Sequence, residues 1–240
     1  MNKVIILSEM RTGSTWMGEI LQTVLGSEVA SVVDGEVFGE DQIKAVRKNI
    51  DAGRIQKQHH FIHTDVLDKL KPHDYKIITV VRNPRDILTS IAHFRMARFD
   101  LKQSVWPKRW KRGKPNLAKT IKDLYTEFAE VDLARQIKRM ERGYSTRRKR
   151  ANEMPYIWTS YEWMKYNTTA EIRKIVDFLG VECKSLDILV KVVNEKMFRN
   201  QGNPRALRKG TFGDWINCFD RKLIRITQKA QQTYWEHLAS

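Results

Sequence analysis

Three short, unbroken apolar runs constrain this chain more than anything else in it. They are Val4-Ile-Ile-Leu7, Lys76-Ile-Ile-Thr-Val-Val81 and Tyr156-Ile-Trp-Thr159. A strand with one wet face alternates apolar and polar residues, whereas a strand covered on both faces does not, so runs of this kind predict parallel strands with helices packed above and below. Helical patterns alternate with them. Trp16, Met17, Ile20, Leu21 and Val24 place a helix from Thr15 to Leu25, and Pro84 stands where a helix through Ile87, Leu88 and Ile91 starts. Leu117, Ile121, Leu124, Phe128 and Val131 mark a long amphipathic helix. Thr168-x-x-Glu171 reads as a capping box before Ile172, Ile175, Val176 and Leu179, with Gly180 as the stop. The expected class is therefore α/β, a central parallel sheet flanked by helices.

The 240 residues suit one domain with a sizeable core, and the 41% hydrophobic content is too high for a disordered chain. No apolar run approaches the roughly 18–20 residues that span a bilayer. The opening MNKVIILSEMRTGS has too short an apolar stretch for a secretory leader and no small-residue cleavage site after it, so a buried strand and a cytoplasmic location are expected. Cys183 and Cys218, the two cysteines, agree with that compartment: they are too few for a disulfide framework and show no metal-ligand spacing. The charge is strongly basic, 44 Lys and Arg against 28 Asp and Glu for a net +16. Residues 101–150 alone hold 16 of the cations and 5 of the acids. Such a surface attracts polyanions without choosing among nucleic acid, acidic glycan, anionic membrane and a phosphate-bearing ligand.

Three constellations carry chemistry. Ser8-Glu-Met-Arg11-Thr12-Gly13-Ser14-Thr15-Trp16 follows the first strand and opens the first helix, presenting backbone N–H groups and hydroxyls where an anion binds well. It lacks the lysine of the Gly-x-x-x-x-Gly-Lys-Ser/Thr nucleotide loop, and the same residues also suit a plain helix cap. Arg82-Asn-Pro-Arg85-Asp86-Ile-Leu-Thr-Ser90 ends the second run in an arginine able to meet a phosphate in bidentate fashion, with Ser90 two helical turns on. A surface ion pair of Arg85 with Asp86 is the plainer reading of that stretch. Arg208-Lys209-Gly210-Thr-Phe-Gly213-Asp-Trp215 joins two cations to two glycines, either a phosphate-wrapping loop or simply a basic one.

In their order and form the three resemble the donor-binding elements of the cytosolic sulfotransferases, which use 3′-phosphoadenosine 5′-phosphosulfate. That family carries a Pro-Lys-Ser-Gly-Thr-Thr-Trp loop, an Arg-Asn-x-x-Asp…Ser element and an Arg-Lys-Gly-x-x-Gly-Asp-Trp loop, and RTGSTW, RNPRDILTS and RKGTFGDW match them in sequence. The resemblance runs from residue 4 to about residue 219. It implies a single domain over residues 1–240 of P-loop nucleotide-kinase-like fold, with a basic helical insertion at about 101–150. It also implies that Arg11, Thr12, Gly13, Ser14 and Thr15 cradle the 5′-phosphosulfate and that Trp16 stacks on adenine, with Tyr161 touching the same ring. Arg82, Ser90, Arg208, Lys209 and Gly210 would hold the 3′-phosphate, and the product would be adenosine 3′,5′-bisphosphate. Arg11 stands where the cytosolic enzymes have lysine. Here the loop is similar to the Arg-Ser-Gly-Ser-Ser-Phe-x-Gly-Glu-Leu of carbohydrate sulfotransferases, so the chain is a mosaic and the acceptor is a small molecule or a glycan.

The resemblance implies an in-line displacement at sulfur without a metal, and the sequence offers no compelling ligand cluster. Positioning and charge stabilisation would do most of the work, with Arg11 and Lys57 near the leaving phosphate. Two residues compete as the base that takes the acceptor's proton. His59, in Lys57-Gln58-His59, matches the Lys-x-His element of the cytosolic enzymes and lies 23 residues before Arg82; Glu36, in Asp34-Gly-Glu36-Val-Phe38, resembles a Glu-x-Phe element of bacterial carbohydrate sulfotransferases. His59 is preferred. The basic stretch reads first as a solvated face, and second as a surface that selects an acidic acceptor. A P-loop nucleotide kinase and a basic nucleic-acid-binding protein are the rival functions. The missing lysine disfavours the first, and the lack of any zinc-finger or RNA-binding signature disfavours the second.

Overall fold

The computed structural model describes residues 3–8, 11–31, 40–59, 75–100, 155–182, 185–200 and 212–239. Along the chain these form β1 (Val4–Ser8), α1 (Ser14–Leu25), β2 (Val29–Ser31), α2 (Glu40–Asp51), β3 (Ile55–His59), β4 (Lys76–Val81), α3 (Pro84–Asp100), β5 (Tyr156–Ser160), α4 (Tyr161–Tyr166), α5 (Thr168–Leu179) and α6 (Leu186–Asn200). A short 3-10 helix (Asp214–Asn217), α7 (Arg221–Ile226) and α8 (Gln228–Ala239) follow. The chain divides into two compact units, residues 1–82 with 141–197, and residues 83–140 with 198–240.

The first unit holds the sheet. Its five strands are all parallel, in the order β2-β3-β1-β4-β5. The fold is thus the expected α/β class. The three apolar runs are β1, β4 and β5, and every residue of β1 is buried, as a strand covered on both faces requires. Ile5, Leu7 and Ile77 pack with Ile43, Val46 and Ile50 of α2 into one apolar cluster. The alternate positions of β1 turn to the other face, where α1 contacts β1 and β3 and buries Trp16, Met17, Ile20 and Leu21.

Two strands were absent from the sequence reading. β2 has three residues, and β3 reads Ile-Gln-Lys-Gln-His, with no apolar run. Gln56 is fully buried in β3 nevertheless: its Oε1 accepts from Asn49 Nδ2 at 2.9 Å and its Nε2 donates to the Lys57 carbonyl at 3.0 Å. Burial of the amide is tolerated because both ends are bonded.

The capping box expected at Thr168 is not what starts α5. Asn167 caps the helix, its Oδ1 accepting from the Ala170 N–H at 3.3 Å. Thr168 instead donates to the Met164 carbonyl, and the Glu171 carboxylate accepts from Thr159 Oγ1. At the other end Gly180 does stop the helix, at φ 65°, and Lys76 Nζ donates to the Phe178 and Leu179 carbonyls.

In the second unit, Asn83 Oδ1 accepts from the Arg85 N–H at 3.0 Å, and Pro84 follows as the first residue of α3. Leu88 packs with Phe219 and Leu223 there. The long helix expected around Leu117–Val131 and the basic stretch 101–150 lie outside the described residues.

Candidate active site

Strand order locates the site before any side chain is considered. From β1 the chain moves to one side of the sheet to form β2 and β3, then crosses to the other side for β4 and β5. Loops leaving neighbouring strands on either side of such a switch part, and the crevice beyond the strand ends is where α/β proteins bind ligands. Here the two loops are those after β1 and after β4, and they carry Arg11–Gly13 and Arg82.

The loop after β1 is tightly specified. Arg11 sits at φ 68°, a left-handed conformation rare for a side-chain-bearing residue, and Gly13 at φ 102°. A Cβ on Gly13 would lie 2.7 Å from Tyr161 Cδ2, so only glycine lets the loop approach that ring. Thr12 and Ser14 are buried, Arg11 is half-buried and Thr15 is exposed. Gly13 gives α1 no side-chain cap. That leaves N–H groups of the first turn to other acceptors.

Arg82 lies across this loop. Its Nη1 donates to the Arg11 carbonyl at 3.0 Å, and its guanidinium rests on the Tyr161 ring, 4.1 Å from the centroid. Tyr161 is the hub of the group, since Trp16 also meets it edge-on with centroids 6.0 Å apart. Trp16 is buried, its Nε1 has no hydrogen-bond partner among the described residues, and Lys165 Nζ sits 5.1 Å from its ring centroid. Burial lowers the pKa of Arg11, and the neighbouring charge of Arg82 lowers it further. Burial also lowers that of Lys165. A positive cluster penalised by its own burial and repulsion is one that an anion would relieve.

The backbone brings His59 to the same edge. His59 is the last residue of β3 and pairs in register with Ser8, the last residue of β1, while Lys57 pairs with Ile6. The 51 positions between Ser8 and His59 thus shrink to one strand spacing. Glu36 falls outside the described residues, as do Arg208, Lys209 and Gly210. Ser90 is half-buried on α3, in the second unit.

Within that second unit the structure gives Arg85 and Asp86 roles different from the expected one. The surface ion pair offered for Arg85 and Asp86 does not describe them, because both are buried. Arg85 stacks on Trp215, 4.5 Å from the ring centroid, while its Nε donates to Thr227 Oγ1 at 2.9 Å and its Nη2 to the Ile224 carbonyl and Gln228 Oε1. Asp86 Oδ2 accepts the Gly213 N–H at 2.8 Å. The Arg-Asn-x-x-Asp element therefore fastens the end of the RKGTFGDW segment through residues 85 and 86. Identical spacing in sequence carries no trace of this, since the partners lie 127 and 142 positions away.

The profile of the sulfotransferase domain matches residues 1–239. Mouse sulfotransferase 1A1 is 24% identical over 251 aligned positions covering 90% of this chain and 78% of that protein; mouse sulfotransferase 1B1 is 25% identical with 90% and 77% covered. Among solved structures, mouse sulfotransferase SULT7A1 complexed with PAP superposes with a TM-score of 0.65 at 20% identity, over 95% of this chain and 82% of that one. Retinol dehydratase in complex with androsterone and inactive cofactor PAP gives 0.60 at 17% identity, over 99% and 81%. No helix among the described residues is long and apolar enough to cross a membrane. A phosphate-type loop at the switch point, an arginine braced across it and a domain match over essentially the whole length place the chain in the sulfotransferase family, enzymes that move a sulfuryl group from 3′-phosphoadenosine 5′-phosphosulfate to an acceptor.

Proposed function

We propose that this sulfotransferase holds the 5′-phosphosulfate of its donor on the loop from Arg11 to Thr15 and the 3′-phosphate through Arg82, Ser90, Arg208, Lys209 and Gly210, with Trp16 and Tyr161 beside the adenine. The single observation that carries the reading is Arg82 bonded to the Arg11 carbonyl and stacked on Tyr161. That arrangement puts two guanidiniums at a helix N-terminus which has no side-chain cap. Their mutual repulsion suits a ligand bearing several negative charges. The buried Trp16 N–H, without a hydrogen-bond partner among the described residues, offers a further donor.

In the reaction the acceptor oxygen or nitrogen bonds to sulfur as the bond from sulfur to the 5′-phosphate oxygen breaks. Adenosine 3′,5′-bisphosphate leaves, and the acceptor's proton passes to the base. Arg11 and Lys57 offset the charge that gathers on the departing phosphate. His59 is the proposed base ahead of Glu36, and its place at the end of β3, paired with Ser8, supports that order. The acceptor is proposed to be a small molecule or a glycan, and the basic stretch 101–150, an insertion in a single domain, is proposed to favour an acidic one. A cytoplasmic location is proposed with it.

Thermal shift with adenosine 3′,5′-bisphosphate, ATP and a DNA oligomer tests the donor reading, because a ligand bound to the native state raises the melting temperature through linkage. The bisphosphate should give the largest shift in the wild type and a small one in Arg82→Ala. A shift with ATP or DNA alone would remove the donor reading. For the base, His59→Ala should abolish turnover while keeping the bisphosphate shift. Near-normal turnover in His59→Ala beside a dead Glu36→Ala would reverse the two.

A further inference from the structure

Three side chains that the sulfuryl-transfer reading leaves unused converge in the second unit. His93 projects from α3, Asp214 opens the 3-10 helix and Cys218 follows it, and one ligand atom of each (imidazole nitrogen, carboxylate oxygen, thiol sulfur) lies within 4.8 Å of the other two. All three are half-buried. We propose that His93, Asp214 and Cys218 form a binding site for a thiophilic divalent cation of the zinc type.

The donor set argues for that class. Zinc takes His nitrogen, Cys sulfur and Asp oxygen at about 2.0–2.3 Å, which in a tetrahedron leaves ligand atoms roughly 3.3–3.7 Å apart. The triad needs to close by at most about 1.5 Å, within the reach of side-chain torsions. Calcium and magnesium want an almost complete oxygen shell, which one carboxylate cannot supply. A thiolate and a carboxylate also neutralise a dication locally, in a chain that is otherwise strongly basic. Three protein ligands leave a fourth position for water.

The two segments bearing the ligands are already fixed to one another. Asp86 on α3 accepts from Gly213, directly before Asp214, and Arg85 stacks on Trp215, directly after it. Leu88, Trp215 and Cys218 share an apolar cluster with Phe219. The donors are thus held on braced backbone rather than on a loose loop. A cation here would pin the end of the RKGTFGDW motif and the residues just after it to α3. The proposal is independent of the donor reading.

The experiment uses the full chain, treated with chelator and kept reduced, and titrated with cobalt(II) as a spectroscopic stand-in for zinc. About one equivalent should produce a near-ultraviolet thiolate-to-cobalt charge-transfer band and the visible bands of a tetrahedral site, both displaced by zinc. The charge-transfer band should persist in Cys183→Ser and vanish in Cys218→Ser. His93→Gln should weaken cobalt binding at least roughly tenfold, as ligand loss does. Far-ultraviolet circular dichroism of each metal-free variant checks that it is folded. No band in the wild type, or a band that survives in Cys218→Ser, overturns the proposal, as does unchanged cobalt affinity in folded His93→Gln.

Discussion

Replacing Gly13 by alanine tests how tightly the donor loop is built. The added methyl meets two costs. An L-residue in the left-handed region loses about 1–2 kcal/mol. The Cβ would also stand 2.7 Å from Tyr161 Cδ2 and 3.4 Å from Met164 Cε. Neither neighbour has room to retreat, because both are buried and Tyr161 is held from one side by the Arg82 guanidinium and from another by the edge of Trp16. Overpacking of this kind costs about 1–3 kcal/mol. The smaller unfolded-state entropy of alanine returns about 0.4–1 kcal/mol. The net loss should be about 2.5 kcal/mol, read as a fall of roughly 1 M in the urea midpoint with an unchanged slope. Gly26 supplies the control. It also has positive φ, at 66°, but nothing lies within 4 Å of an added Cβ. Gly26→Ala should therefore cost only the backbone part, about 1 kcal/mol. The difference between the two mutants isolates the collision with Tyr161. Gly13→Ala should also lose affinity for adenosine 3′,5′-bisphosphate, whereas Gly26→Ala should not. Equal midpoints for the two mutants would refute the reasoning, since the loop would then be able to move off Tyr161 freely.

Four further substitutions probe the bracing of the second unit and the corrected helix cap. Arg85→Ala removes a buried guanidinium that donates to Thr227, Ile224 and Gln228 and covers Trp215, and it should cost about 3 kcal/mol by urea unfolding. Arg85→Lys should recover little of that, because an ammonium cannot keep the fork and the stack together; full recovery would mean that charge alone mattered. Asn167→Ala should destabilise by about 1 kcal/mol as a lost N-cap, against less than half of that for Thr168→Ala, and the reverse order would restore the capping box.

What the sequence exposed and what it hid divide along physical lines. β1 and β4 were visible because double burial demands consecutive apolar residues, a local requirement that a single run satisfies; β5 carries an apolar run too, although as an edge strand it leaves Tyr156, Ile157 and Trp158 only half-buried. The start of α1 was visible to within a residue from the helical spacing that begins at Trp16, and that of α3 from Pro84, whose fixed φ suits a first helical position. The stop at Gly180 was visible from local stereochemistry too. β3 was hidden because Ile55 is its one apolar residue and the next buried position, Gln56, is an amide bonded to Asn49 on α2. At Asn167 and Thr168 two good capping residues are adjacent, and a one-residue offset decided by the turn out of α4 selects the first. Arg85 beside Asp86 looks like an ion pair in one dimension, and only the fold assigns them separate partners. His93, Asp214 and Cys218 escaped because no short spacing joins α3 to the 3-10 helix.

The same division explains why the residues proposed to hold the donor form motifs and the proposed base does not. Phosphate recognition is concentrated where a strand ends and a helix begins, so its residues stay within a few positions of each other and leave a motif. The base obeys no such rule. His59 becomes a neighbour of the donor loop only because β3 lies between β2 and β1, which sets its Cα opposite Ser8. A strand inserted at that place in the order, with no apolar signature of its own, converts two distant stretches of chain into adjacent strand ends. In that order the proposed base at position 59 stands at the strand end beside the loop proposed to hold the 5′-phosphosulfate, on the side of β1 opposite to β4. Exchanging the proposed base at position 59 should therefore change turnover and leave the bisphosphate shift intact.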